Sequence, residues 1–177
     1  VNHLEDLRVG MSYPSYYISR LASKFVKVCL QGTGGDELFG GYPWRYYRIF
    51  KSLDRKDFFS QYYDFWQRLV KDEDKSKLFT PSAYSKVGNI NEIRPIFEKV
   101  FLFNDKLKYD RPEDHINNSL YFEIKTFLPG LLLVGDKLSM AHGLEERFPF
   151  MDNDLVDFAM KVPVKHKLGN LEHMKHI

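Results

Sequence analysis

The chain has 177 residues, 44% hydrophobic and 28% charged, with a formal net charge of +2. Its charges are of both signs and interspersed, which gives no footprint for nucleic acid, and no run of about 18 apolar residues predicts a membrane span. A length near that of one domain and an aromatic content of 16% favour a packed core over disorder.

In chain order, residues 12 to 24 predict a helix with Tyr16, Tyr17, Leu21 and Phe25 on one apolar face. The β-branched run at 26 to 30 predicts a buried strand that carries Cys29, the only cysteine. That cysteine reads as a small core residue in a reducing, cytoplasmic setting. A short helix is expected from Asp36. It breaks at Gly40-Gly41-Tyr42, because the residue before Pro43 is driven out of helical backbone. Pro43 then opens a helix to about Ser52.

Phe58, Phe59, Tyr62, Phe65, Trp66, Leu69 and Val70 form a helical stripe over 56 to 71, and this stripe is read as core. Residues 72 to 93 predict a surface connection with a short helix at 81 to 87, followed by another at 94 to 102. Pro112 and Pro129 each predict a helix start. The second of these helices, through Leu131, Leu132, Leu133, Val134 and Leu138, is apolar enough to be buried on most sides. Gly143 reads as a C-cap, and Asp152 as the N-cap of a last helix that Pro163 ends. One strand among so many helices leaves its backbone groups unpaired. Its neighbours are therefore expected in sequence outside this chain.

Two segments carry chemistry. In the first, the strand ends in Gln31-Gly32-Thr33-Gly34-Gly35-Asp36-Glu37. Glycines let the main chain approach an anion closely and present successive amides to phosphate. Carboxylates beside such a cradle make sense when a divalent cation joins them to the phosphate. The competing reading is an ordinary glycine turn whose acidic residues match a helix dipole. The second segment, Gly135 to Asp152, places Asp136 and Lys137 in an apolar helix and Glu145, Glu146 and Arg147 in an extended stretch. Buried charges require partners, so Asp136, Glu145 and Arg147 read either as an ion-pair network pinning loop to helix or as the wall of a polar cleft. Alternation places Glu145 and Arg147 on one side and Glu146 on the other. His142 reads as a residue matched to the helix C-terminus, without chemistry.

Taken together, Gln-Gly-Thr-Gly-Gly-Asp-Glu-Leu-Phe-Gly-Gly-Tyr-Pro at 31–43 and Asp-Lys-Leu-Ser-Met-Ala-His-Gly-Leu-Glu-Glu-Arg-Phe-Pro-Phe-Met-Asp at 136–152 resemble the synthetase domain of glutamine-hydrolysing asparagine synthetases. The resemblance runs over roughly 12 to 163. It implies an α/β fold, part of a Rossmann-like ATP-pyrophosphatase (adenine nucleotide α-hydrolase-like) domain that is mostly helical in the stretch present. It also implies ATP and Mg²⁺, a β-aspartyl-AMP intermediate, and ammonia delivered from a glutaminase domain. By the same resemblance, Gln31, Gly32, Thr33 and Gly34 bind the nucleotide. Asp36 stands at the metal–pyrophosphate, and Glu37 supports it. Glu145 and Arg147 flank the aspartyl pocket, with Asp136 behind them.

Thr33 stands where the family loop often carries Glu. Another carboxylate-adenylating ligase, such as a β-lactam-forming or glycan-amidating enzyme, therefore stays open. So does a non-catalytic helical interaction module. The family's Ser-Gly-Gly-x-Asp-Ser pyrophosphate loop, its glutaminase domain and its downstream lysine stretch do not occur in these 177 residues. Residues 1–177 are accordingly expected to be a partial synthetase domain, inactive alone, with small-molecule substrates and a homodimer among its compatible assemblies.

Overall fold

The computed structural model describes residues 3–4, 12–87 and 93–168. The expected surface connection therefore lies in part, at 88–92, outside the described residues. Helix α1 (Ser12–Ala22) leads to strand β1 (Val28–Leu30). Three short helices follow, α2 (Gly35–Phe39), α3 (Pro43–Tyr46) and, after the long α4 (Arg55–Trp66), α5 (Lys75–Leu78). Next come α6 (Pro81–Val87), α7 (Ile93–Leu102) and the 29-residue α8 (Pro112–Met140). Strand β2 (Glu145–Arg147) and helices α9 (Asn153–Lys161) and α10 (Val164–Leu168) complete the order.

The strand at 28–30 is not alone. It pairs in parallel with β2, in the register Val28–Glu145, Cys29–Glu146 and Leu30–Arg147. The Glu145 N–H donates to the Lys27 carbonyl at 2.9 Å and the Gln31 N–H to the Arg147 carbonyl at 2.8 Å, which extends the ladder at both ends. A parallel pair needs a long crossover, and here the connection holds seven helices of the described chain, α2 to α8. Nothing in the β propensity of Glu-Glu-Arg announces β2; the tertiary pairing makes it a strand.

The expected buried strand is open on one face. Val28 is 49% and Leu30 77% exposed, while Cys29 on the other face is half-buried. Among the described residues the sheet has two strands, and α8 packs against β2. Helix α1 packs on α8 with another face than expected: Tyr17, Leu21 and Phe25 are exposed while Ser19 is buried. On α8, Leu133 is exposed and Leu131, Leu132 and Val134 are half-buried, rather than covered on most sides.

Pro129 does not start a helix; it lies inside α8. The carbonyl that it leaves without a donor belongs to Lys125, and both residues lie on the exposed side, where solvent can take that group. The start of α8 follows from Pro112 in the first turn and from the Asp114 carboxylate, which accepts the Arg111 N–H at 3.1 Å. The helix predicted from Pro43 to about Ser52 is α3 alone, continued as turns. Gly143 does adopt left-handed backbone, with φ 63°. The Asp152 side chain accepts the Leu155 N–H at 3.1 Å, as its N-cap assignment requires.

The aromatic stripe on α4 is core. Phe58 and Tyr62 are fully buried, with Phe58 5.6 Å from Phe101 and 5.5 Å from His115, ring centre to ring centre. Helix α4 ends at Trp66, and Leu69 of the expected stripe is exposed. His142 packs edge-on against Tyr16 at 4.4 Å.

Between this core and α2 lies a buried polar cluster. The Arg45 guanidinium sits 3.1 Å from the Glu123 carboxylate, with 6% and 0% of the two side chains exposed. Burial pushes the Glu123 carboxyl up to about 7; Arg45 and the Tyr62 hydroxyl pull the other way, and Glu37 adds to the rise. Its ordinary value is 4.5, so the folded state holds this proton more tightly than the unfolded chain. The associated stability is complete below pH 4.5 and is lost as the pH rises through about 7. Over that window the loss is of the order of 3 kcal/mol. Chemical denaturation of the intact protein at pH 5 and pH 8 checks it: the wild type should weaken toward pH 8, and Glu123→Gln should flatten the difference.

Candidate active site

Both strands of the parallel pair end on the same edge of the sheet. At the carboxyl end of β1 the chain enters Gln31–Gly35, and at the carboxyl end of β2 it enters a 3-10 turn at Pro149–Met151. Crevices at the carboxyl ends of parallel strands are where α/β sheets bind ligands. Here the turn lies over the glycine loop. The Phe150 ring comes within 3.3 Å of where a Cβ on Gly35 would stand, and Phe39 meets Phe150 edge-on at 6.4 Å. Gly34 takes φ 101°, and Gly40 closes α2 with φ 74°.

Gly32, Gly35, Asp36, Phe39, Gly41 and Phe150 line a pocket of about 240 Å³. Asp36 forms its charged wall. A Cβ on Gly41 would fall inside the Asp36 carboxyl group, so that carboxylate sits directly on bare backbone. A Cβ on Gly32 would have open space around it. A larger cavity, about 490 Å³ and mainly apolar, lies between α4, α7 and α8 away from this edge.

Asp36, Gly32 and Gly35 thus come together at one pocket. Thr33 and Gln31 are tied to each other, the Thr33 hydroxyl donating to Gln31 Oε1 at 2.6 Å. That oxygen lies 3.5 Å from where a Cβ on Gly135 would stand, so the Gln31 side chain is turned toward α8. Glu37 does not share the pocket. It is 1% exposed and accepts the Tyr42 hydroxyl at 2.7 Å. Burial and this carboxylate push the Tyr42 hydroxyl well above its ordinary range.

Glu145 and Arg147 share a side, as alternation requires, and form an ion pair at 2.7 Å on the open face of the sheet. Both are more than half exposed, and Arg147 stands opposite Leu30 at the carboxyl edge. Asp136 does not join them. It is exposed on α8, and its effect on Glu146 of the strand is a like-charge one: the Glu146 carboxyl is pushed up by burial, held down by a hydrogen bond from Ser19, and pushed further up by the Asp136 charge. Glu146 Oε2 lies 2.8 Å from where a Cβ on Gly135 would stand, so the absence of a side chain at Gly135 makes room for it.

Sequence reasoning missed Arg45 and Glu123 as buried charges and Glu146 as a half-buried one. The available signal was a charged residue in an otherwise apolar helical stripe, as at Glu123 between Phe122 and Ile124. Among the described residues no cluster of three or more His, Cys, Asp or Glu could hold a metal alone. A magnesium ion that arrives on a nucleotide needs only one or two protein carboxylates, and Asp36 fits that need. Among the described residues no helix is long and apolar enough to cross a membrane.

The whole chain, residues 1–177, matches the family of asparagine synthases. It is a member of that family. Asparagine synthetase [glutamine-hydrolyzing] 1 of Bacillus subtilis (strain 168) is 32% identical over 201 residues, covering 95% of this chain and 30% of its own length. Asparagine synthetase [glutamine-hydrolyzing] 3 of the same organism is 28% identical over 178 residues, 95% of this chain and 27% of its own length. Amidase chry2 of Gibberella zeae is 34% identical over 55 residues, 30% of this chain and 8% of its own. The chain thus spans less than a third of the two bacterial synthetases. No solved structure matches it significantly.

Proposed function

We propose that the chain is part of the synthetase domain of an ATP-dependent, carbon–nitrogen-bond-forming ligase that converts aspartate to asparagine. The observation that carries this reading is Asp36 beside a glycine loop at the shared carboxyl edge of two parallel strands, in a chain of this family. On this reading the sheet continues into a Rossmann-like ATP-pyrophosphatase domain, and a glutaminase domain elsewhere in the intact protein supplies ammonia.

The reaction then runs in two displacements. The side-chain carboxylate of aspartate attacks the α-phosphorus of ATP, and pyrophosphate leaves. Ammonia then attacks the acyl carbon of β-aspartyl-AMP, and AMP leaves with the former carboxylate oxygen. Gly32–Gly35 give the phosphates close approach to main chain, and Asp36 supplies negative charge where a cation is needed. Magnesium, when bound, would offset the charge that builds on the departing pyrophosphate. Arg147 and Glu145, on the open sheet face, are placed to meet the charged ends of an amino-acid substrate, and the Thr33 hydroxyl fixes Gln31 at the nucleotide end. No enzyme nucleophile is required.

A second reading, amidation of a carboxylate other than aspartate, is favoured by Thr33 at the position of the family's Glu and by the local similarity to amidase chry2. One assay separates them. The intact protein is given MgATP, ammonia and a panel of carboxylic acids, and pyrophosphate release is measured. Aspartate should give the largest rate. A larger rate with another acid would select the second reading, and no release with any acid would defeat both.

A further inference from the structure

We propose that Tyr42, Arg45 and Glu123 form a strut that positions α2, and with it Asp36, from the aromatic core. The proposal rests on the reading of Asp36 given above. The strut begins at Glu37, the neighbour of Asp36 on α2, whose buried carboxylate accepts the Tyr42 hydroxyl at 2.7 Å. The Tyr42 ring lies 3.7 Å under the Arg45 guanidinium, and Phe127 covers that group at 4.5 Å. Arg45 Nη1 then reaches Glu123 Oε2 at 3.1 Å. The contact is close but poorly aligned for a hydrogen bond, so it acts as an ion pair. The Tyr62 hydroxyl is 3.2 Å from the other Glu123 oxygen and 3.3 Å from the Ser119 carbonyl, which fixes Glu123 to the fully buried face of α4.

Two features make this more than packing. First, α2 has only five residues between two glycines in left-handed backbone, so its own hydrogen bonds hold its orientation weakly. Second, the cluster ties two buried carboxyl groups together through one ring: Glu37 holds the Tyr42 hydroxyl, and Arg45, stacked on that ring, reaches Glu123. Buried charges tolerate few geometries, because any displacement leaves one of them unpaired. A rotation of α2 that moved Asp36 would drag Glu37 out of this arrangement. Glu37, Tyr42, Arg45 and Glu123 are therefore positioning residues, and none of them lines the pocket.

The test uses the intact protein and Tyr42→Phe, which keeps the ring under Arg45 and removes only the hydroxyl. Backbone hydrogen exchange over residues 35–41 should accelerate about tenfold, and the magnesium concentration needed for half-maximal pyrophosphate release should rise by a similar factor. The thermal midpoint should fall only by what one lost buried hydrogen bond accounts for, and the exchange of α4 amides should stay near wild type, which a general loss of packing would not allow. If exchange over 35–41 and the magnesium requirement both match wild type, the strut is overturned. Asp36→Ala is measured in parallel. Should that variant release pyrophosphate normally, the functional reading fails instead, and the exchange result alone decides the strut.

Discussion

Asp36→Ala in the intact protein should lower aspartate-dependent pyrophosphate release by about 100-fold or more, the scale of removing one preorganised electrostatic contact to a developing charge. No neighbouring carboxylate can stand in for it. Glu37 is buried and already holds the Tyr42 hydroxyl, and Glu145 is engaged with Arg147 on the sheet face. The Asp36 carboxylate is pressed onto Gly41, so its place in the pocket wall is set by backbone. Asp36→Asn should be nearly as damaging as alanine, because it keeps the shape and removes the charge that a cation needs. Steady-state rates for the two variants across a magnesium titration check this. Near-wild-type release by Asp36→Asn would show that shape alone matters here and would remove the metal-bridging role.

Gly34→Val should destabilise the intact protein by about 4 kcal/mol, combining a β-branched residue in left-handed backbone with overpacking. The backbone at Gly34 has φ 101°, and a Cβ there would overlap the Met151 methyl group and crowd Phe150 at 3.4 Å. Met151 and Phe150 belong to the turn that closes the pocket, so the Met151 side chain must swing aside and repack against that turn, on top of the strain of a β-branched residue in left-handed backbone. The chemical-denaturation midpoint should fall sharply, and exchange at 149–151 should rise with it. Gly32→Ala is the control: open space surrounds that position, and its midpoint should change little. Equal midpoints for Gly34→Val and wild type would mean that the loop does not hold Gly34 in left-handed backbone.

Several features of fold and site were legible because they depend on local rules. The glycine pair that stops α2, the Asp152 cap, the proline that starts α8 and the aromatic stripe of α4 each follow from a residue and its near neighbours. The shared side of Glu145 and Arg147 follows from strand alternation alone. Other features did not follow. The pairing of β2 with β1 joins residues more than a hundred positions apart, and Glu-Glu-Arg has no intrinsic pull toward a strand. Pro129 continues its helix because the carbonyl that it orphans faces outward, a fact of orientation rather than of sequence.

By itself, the order of residues determined that a glycine loop and a carboxylate would follow an apolar strand, and that an acidic–basic stretch would recur with Pro149 close behind. The three-dimensional packing alone decided which charges meet. Asp36 turned to the pocket while Glu37 turned inward, and Arg147 paired with Glu145 while Asp136 stayed exposed on α8. The physical reason is that a charge's partner is set by desolvation and distance across elements, whereas caps, turns and stripes are set by backbone geometry within a few residues.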